Sequence, residues 1–468
     1  MIQRLSLFLL ALVLTMPTWA QGGSGNESET ITIASKEDWK AFCDRVNKGQ
    51  TTLNAKLTKD VDLGEEIVMV GNYDKMYSGT FDGQGHTLKF NWNRSDKGNL
   101  APFWCVKDAT IRNLRTQGKI TKKGYGLSGM VYIALGTTTL TGCISDVDIT
   151  GGSGWDASRA AGMVQAVADG ASVHITDCLV KGSITDNADE SERGMAGFVF
   201  SNSGTYTLTR CLYVGKNNAP NYSYTFGTEH GISATFTDCY YLNTCGKAQG
   251  TQVTAERLKS GEMAKLLQGD RTENVWGQTL GTDTIPLPTT DATKRVYQVK
   301  FTYNGEVKAT RYATNGQSIH GGLPTFTAKD LLGTGYNPKL TYALNFGDFT
   351  ATTPVTEDKS VDVTVTGTFP IATAADWKEF CALVNGGQTT LNAKLTQDVD
   401  LGTDIAMVGT ANKPYAGTFD GQGHTLKFNW DGGENDNIAP FGRVNGATIR
   451  NLRTEGSIRS NSFYLSGL

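Results

Sequence analysis

Five histidines, eight cysteines and forty-six carboxylates are the residues of this chain whose types allow acid-base or metal chemistry. His86 and His424 each close an Asp-Gly-Gln-Gly-His run, so both belong to a duplicated turn and are expected to be structural. His174, His230 and His320 have no Cys or acidic neighbour at metal-ligand spacing, and neither a metal nor another cofactor is expected. The run Asp82-Gly83-Gln84-Gly85 is rich in Gly, but no helix pattern follows it to cradle a phosphate. Asp146 and Asp148 form the strongest pair of acids. They lie two apart in an alternating segment and share one outer strand face, and paired carboxylates are the apparatus of glycoside hydrolysis. Stacking against neighbouring segments sets Lys181 beside Asp146 and Lys119 beside Asp148, which makes the pair read as ion-paired, solvated surface. No complete catalytic constellation emerges and no catalytic residue is assigned.

A second set of residues suits recognition. Four polar connections, 121–126, 150–159, 185–194 and 216–225, carry Tyr125, Trp155, Asp186, Asp189, Glu190, Glu192, Tyr222 and Tyr224. Aromatic rings offer a sugar an apolar face, and carboxylates accept hydrogen bonds from its hydroxyls. Loops on a rigid scaffold often carry recognition. These residues are therefore the candidate ligand-binding set, expected to stack into one wall that takes a glycan or a host-surface ligand. The net charge of −3 is spread over mixed acids and bases without a basic stripe, which argues against nucleic acid as a partner.

The elements that must position these groups are repeats. Trp39 recurs as Trp377, Cys43 as Cys381, Phe81 as Phe419, His86 as His424, Trp92 as Trp430 and Ile111 as Ile449, at a constant offset of 338. The fourteen-residue runs that begin at Gly79 and Gly417 are identical. Each copy opens with a helix: Ser35 or Thr373 is the N-cap, and Trp39, Phe42, Cys43 and Val46 fall on one helical face. This helix is expected to cap the first turn of strands.

Inside the first copy a finer repeat pairs a small-Gly-apolar start with an apolar-x-x-Cys strand. Ser128-Gly129-Met130-Val131 leads to Leu140-Thr141-Gly142-Cys143, and Ala161-Gly162-Met163-Val164 leads to Ile175-Thr176-Asp177-Cys178. Ala196-Gly197-Phe198-Val199 leads to Leu208-Thr209-Arg210-Cys211, with a looser version ending at Cys239. Successive cysteines are 28–35 residues apart, one solenoid turn. Alternation sends Cys143, Ser145, Val147 and Ile149 inward, and stacking builds inward columns of Cys143, Cys178, Cys211, Cys239 and of Ile111, Leu140, Ile175, Leu208, Phe236. Strands about 4.7–4.9 Å apart do not suit disulfide Cβ atoms, which prefer roughly 3.5–4.5 Å. The column is expected to be reduced.

This pattern resembles the GLUG repeat, and residues 79–88 resemble the segment that precedes it. Such repeats occur in IgA-peptidase-type proteins and in surface proteins of gut and oral bacteria. The resemblance covers about 31–250 and 369–468 and implies a parallel β-helix. The zinc-binding His-Glu-x-x-His helix of the peptidases is absent from the sequence, so peptidase activity is not implied. Residues 296–369 alternate as strands around an Asn304-Gly305 hairpin turn and are similar to small β-rich repeats of the Listeria–Bacteroides type.

The organisation expected is therefore mainly β: a signal peptide over 1–20, a right-handed parallel β-helix with an N-terminal capping helix over 31–250, a helix and extended linker over 251–295, a small β-rich spacer over 296–369 and a truncated second β-helix over 370–468. The leader combines Arg4, the apolar run 5–13 and a Thr18-Trp19-Ala20 cleavage site. The chain is expected to be exported, at the cell surface or outside the cell, with no transmembrane segment after cleavage. Copy two stops at Ser466-Gly467-Leu468, opposite Ser128-Gly129-Met130, so it is expected to be incomplete and prone to association, while the complete module is monomeric. An adhesin-like binding protein is the leading expectation; a polysaccharide lyase or hydrolase working on the β-helix face is the alternative.

Overall fold

In the computed structural model the described residues are 30–94, 98–122, 126–151, 159–185, 194–217, 223–228, 232–243, 246–461 and 463–468. The chain divides into two compact units, Met1–Val253 and Thr254–Leu468. It is mainly β, with most strands in parallel sheets.

The first unit opens with the strand Thr30–Ile33 and the helix Lys36–Asn47. The Ser35 hydroxyl accepts the Asp38 N–H at 3.2 Å, and the Asp38 carboxylate reaches back to the Ala34 N–H at 2.9 Å. Trp39, Phe42, Cys43 and Val46 are buried, as the helical spacing requires. Trp39 stands edge-on to Phe81 and Phe103 at 5.8 and 5.9 Å, and its indole N–H donates to the Val68 carbonyl. The helix therefore contributes a large share of the apolar surface that the first strands need for a core.

Among the described residues, eight strands form one parallel sheet in the order Thr30–Ile33, Asn54–Leu57, Thr80–Asp82, Thr110–Arg112, Thr137–Thr141, Ser172–Thr176, Thr205–Thr209 and Ser233–Thr237. A second parallel sheet runs from Val61–Asp62 through Thr87–Arg94, Arg115–Lys122, Ile144–Thr150, Leu179–Val180, Leu212–Tyr213 and Tyr240–Tyr241 to Thr251–Gln252. A three-stranded sheet (Phe103–Lys107, Val131–Leu135, Val164–Val167) and a four-stranded one (Leu127–Ser128, Arg159–Ala161, Gly194–Ala196, Ser223–Tyr224) interleave with them. From Phe103 to Val180 the chain visits the sheets in constant rotation, each visit one strand further along; beyond that it meets the three-stranded sheet only through single bridges at Val199 and Gly227.

The corner between the first two sheets explains the apolar-x-x-Cys pattern. The residue before each Cys is left-handed: Gly142, Asp177, Arg210 and Asp238 have φ of 64°, 54°, 51° and 51°. Its N–H donates to the next strand's carbonyl, as in Gly142 to Thr176 and Asp177 to Thr209, both at 3.0 Å. The Cys that follows points inward and donates its S–H to the carbonyl two residues back, at 3.5 Å in Cys143 and 3.2 Å in Cys178. A small apolar group with a weak donor fits this position. Ile111, Leu140, Ile175 and Leu208 are buried, and Phe236 is half-buried at the far end. The seven described cysteines are all free.

Within 251–295 the sequence pattern predicts one helix. Two form instead, Ala255–Ser260 and Glu262–Gln268, broken where Gly261 turns left-handed. Thr254 caps the first. Leu258 and Leu267 are buried, but Leu266 is 46% exposed. The break rotates the second helix so that Met263 and Ala264 take the inner face. The hairpin Val296–Tyr303 and Glu306–Thr314 turns at Asn304-Gly305, both at positive φ. The strand Thr364–Ile371 runs through the expected boundary at 369/370. It pairs antiparallel with Thr341–Asn345 and, by its last four residues, parallel with Asn392–Leu395. The helix Ala374–Gly386 then repeats the first, with Trp377, Phe380, Cys381 and Val384 buried and a complete Thr373–Asp376 capping box.

Candidate binding surface

The duplicated turn that carries His86 is fully occupied by structural bonds. The Asp82 carboxylate accepts the Gln84 N–H at 3.0 Å and the Arg112 guanidinium at 3.0 Å, while the Gly83 and Gly85 N–H groups donate to the Arg112 and Asn113 carbonyls. His86 Nδ1 lies 3.5 Å from Asp60, and His424 repeats this with Asp398. No turn N–H is left to hold an anion. Among the described residues no group of three or more His, Cys, Asp or Glu is arranged to hold a metal ion. Nor is any helix there long and apolar enough to cross a membrane.

Asp146 points outward and pairs with Lys181 at 2.9 Å, as the register predicts. Asp148 sits opposite Lys119 in the ladder, yet its carboxylate is taken by Ser183, whose N–H and hydroxyl donate at 2.9 and 2.6 Å. Both acids thus serve neighbouring strands. Of the expected loop wall, Tyr125, Trp155, Asp186, Asp189, Glu190, Glu192 and Tyr222 lie outside the described residues. The four strands that follow those connections are stacked in one sheet. Tyr224 is described and differs from the expectation: it belongs to the strand Ser223–Tyr224, pairs with Ala196 and packs half-buried against Ala161, Ala196 and Phe200. Pairing within that sheet, with small alanines beneath the ring, turns it into covering surface.

An aromatic shelf that sequence reading missed lies on the outer face of the three-stranded sheet. Trp104 follows Phe103, which anchors the strand in the core against Phe81 at 5.1 Å. Alternation turns Trp104 outward, half-buried. Tyr132 occupies the matching position of the next strand, its ring 5.6 Å from Trp104 and tilted by 32°. Tyr73 stands edge-on to Trp104 at 4.8 Å, is 52% exposed, and brings its hydroxyl to 3.5 Å from that of Tyr132. A tight turn fixes it: the Asn72 side chain accepts the Asp74 and Lys75 N–H groups, and Asn47 of the helix holds the Gly71 N–H at 2.8 Å. Burial, and then the Tyr73 hydroxyl, push the Tyr132 phenol above its ordinary range. The indoles of Trp39, Trp92 and Trp377 each donate to a backbone carbonyl. That of Trp104 has no partner among the described residues.

The second copy shows what the fold itself needs. Tyr77, Phe81, Trp92 and Phe103 recur as Tyr415, Phe419, Trp430 and Phe441, all buried in both copies. The turn that holds Tyr73 also recurs, with Thr410 and Lys413 exchanging backbone bonds and Asn385 holding Gly409. At the two shelf positions, however, the second copy has Ala411 and Gly442. The bridges of Val70 to Phe103 and Tyr77 to Val106 recur without the rings as Val408 to Phe441 and Tyr415 to Val444, although no strand matches Phe103–Lys107 there. This contrast was readable in the aligned copies, but their strand faces were needed to recognise it as a surface.

The second unit offers a polar cleft lined by Thr279, Lys294, Asn315, Gln317 and His320, with no Trp, Tyr or Phe among its described lining. Comparisons with known protein families, curated proteins and solved structures find nothing that matches the chain, so the likeness to GLUG repeats rests on the residue pattern alone.

Proposed function

We propose that this chain is an exported, adhesin-like surface protein that binds carbohydrate on the Tyr73–Trp104–Tyr132 shelf of a right-handed parallel β-helix. The constant rotation of the chain through parallel sheets supports the β-helix, and parallel crossovers are right-handed in nearly all proteins. The leader-like first twenty residues and the resemblance to GLUG repeats support export to a bacterial surface. One observation carries the binding reading: the duplication keeps the buried aromatic residues of the module opening but drops the exposed Tyr73 and the outward, half-buried Trp104. Rings that the second copy lacks, clustered on an open face with an indole N–H that has no partner among the described residues, suit stacking against the apolar face of a sugar. The four connections 121–126, 150–159, 185–194 and 216–225 are the alternative candidate for the same ligand class.

A glycan array probed with the mature chain, in parallel with Tyr73→Ala/Trp104→Gly, tests the reading. Those substitutions install the residues of the second copy, and a melting curve of the variant checks that it folds. Loss of at least about tenfold in affinity is expected for a hot-spot aromatic. Undiminished binding by the double variant moves the site to the loops, and release of new reducing ends moves the protein to the enzymes.

A further inference from the structure

We infer that the shelf takes an unbranched oligosaccharide lengthwise, along the direction in which the strands stack, and reads it within the chain and not at its end. This rests on the carbohydrate-binding reading above. Trp104, Tyr132 and Gln165 hold matching positions on three neighbouring strands: Val131 pairs with both Phe103 and Val164, and Ile133 with both Cys105 and Ala166. Neighbouring strands repeat about every 4.7–4.9 Å, close to one pyranose unit of an extended chain. The Trp104 and Tyr132 rings follow that repeat, 5.6 Å apart with planes 32° from parallel, so they offer two successive stacking faces. Tyr73, at 74° to Trp104, forms a rim along one side and leaves the stacking direction open.

The third position is polar. Gln165 is only 6% exposed, yet its side-chain amide makes no hydrogen bond among the described residues. Neither amide atom is among the fully enclosed polar atoms that lack a partner, so the amide reaches the surface, where it offers both a donor and an acceptor. A sugar hydroxyl satisfies either. Two stacking rings followed by one amide thus make three consecutive subsites, one per strand. A site for a terminal sugar needs walls that stop the chain, and none of these three groups blocks the line.

The test is calorimetric titration of the mature chain with ladders of one to six units: β-1,4-gluco-, β-1,4-xylo- and β-1,4-manno-oligosaccharides and oligo-N-acetyllactosamine. For a ladder that binds, affinity is expected to rise with each unit up to three and then level off. Gln165→Ala should lower affinity at least fivefold for the trimer and longer chains and leave the dimer unchanged, with an unaltered melting temperature. Tyr73→Ala/Trp104→Gly should weaken every length. Equal affinity from monomer to hexamer, or array binding confined to branched or terminal epitopes with no ladder bound, overturns the lengthwise mode and leaves the carbohydrate reading standing. Absence of binding on both array and ladders removes both.

Discussion

Cys178 and Cys211 are fully enclosed, and burial drives both thiols well above their ordinary range. Burial likewise pushes Cys105 up to about 11 and Cys381 up to about 12. The thiolate is the nucleophile, so such groups are inert while the fold persists. At pH 8, iodoacetamide should leave Cys143, Cys178, Cys211 and Cys239 unlabelled in the native protein and label all four in urea; mass spectrometry reads the difference. Rapid native labelling of Cys178 would contradict the corner packing. The outward acids make the opposite case. Asp146 and Lys181 are each about one-third exposed, and such pairs contribute roughly 0–1 kcal/mol. Asp146→Asn with Asp148→Asn should therefore leave glycan binding unchanged and stability within about 1 kcal/mol of the parent, measured by urea unfolding. An essential Asp pair would revive catalysis on the outer face.

Among the elements, the opening helix is tied by its cap. Hydrogen bonds from the Ala34 N–H and then from Ser35 hold the Asp38 carboxyl below its ordinary range. The folded state therefore binds that proton less readily than the unfolded chain. Its contribution is present above the ordinary carboxylate pKa of about 3.9 and is lost as pH falls through the depressed value. Between pH 5 and pH 2 the parent should lose more stability than Asp38→Asn, which lacks the titrating group; parallel acid limbs in urea titrations would refute this. Removing the cap hydroxyl by Ser35→Ala should cost about 0.5–2 kcal/mol. A strand-level constraint sits at Gly118, with φ of 129° and no room for a Cβ beside the Phe90 carbonyl; Gly456 repeats it beside Phe428. Gly118→Ala should cost roughly 1–3 kcal/mol in backbone strain plus the collision, and a neutral urea midpoint would show that this strand pair yields more easily than its geometry implies.

For the whole molecule, the division at Val253 is the feature with consequences. Pairing in the first unit continues to its last strand, with Tyr240 and Tyr241 bonded to Thr251 and Gln252. Each layer touches its neighbours, and stacked layers of this kind unfold together when their interfaces are strong. Residues 30–253 alone should give one urea transition, with fluorescence and circular dichroism coincident. Separate transitions would mean that the helix-capped opening and the later strands form distinct units.

What the sequence determined by itself was the periodic part. The 338-residue duplication, the helix with Trp39, Phe42, Cys43 and Val46 inward, the inward column of cysteines and the Asn304-Gly305 hairpin were all legible, because each depends on local spacing or turn chemistry; that each Cys follows a corner and not the middle of a strand was not. Tertiary structure decided the rest. Gly261 divided a helix that periodicity alone continued, since a left-handed φ reorients everything after it. Asp148 took Ser183 as its partner, although register alone put Lys119 opposite. Tyr73, Trp104, Tyr132 and Gln165 are scattered over more than ninety residues, and each looks like an ordinary member of its own segment. Only the stacking of strands distant in sequence brings three rings and an unpaired amide onto one open face.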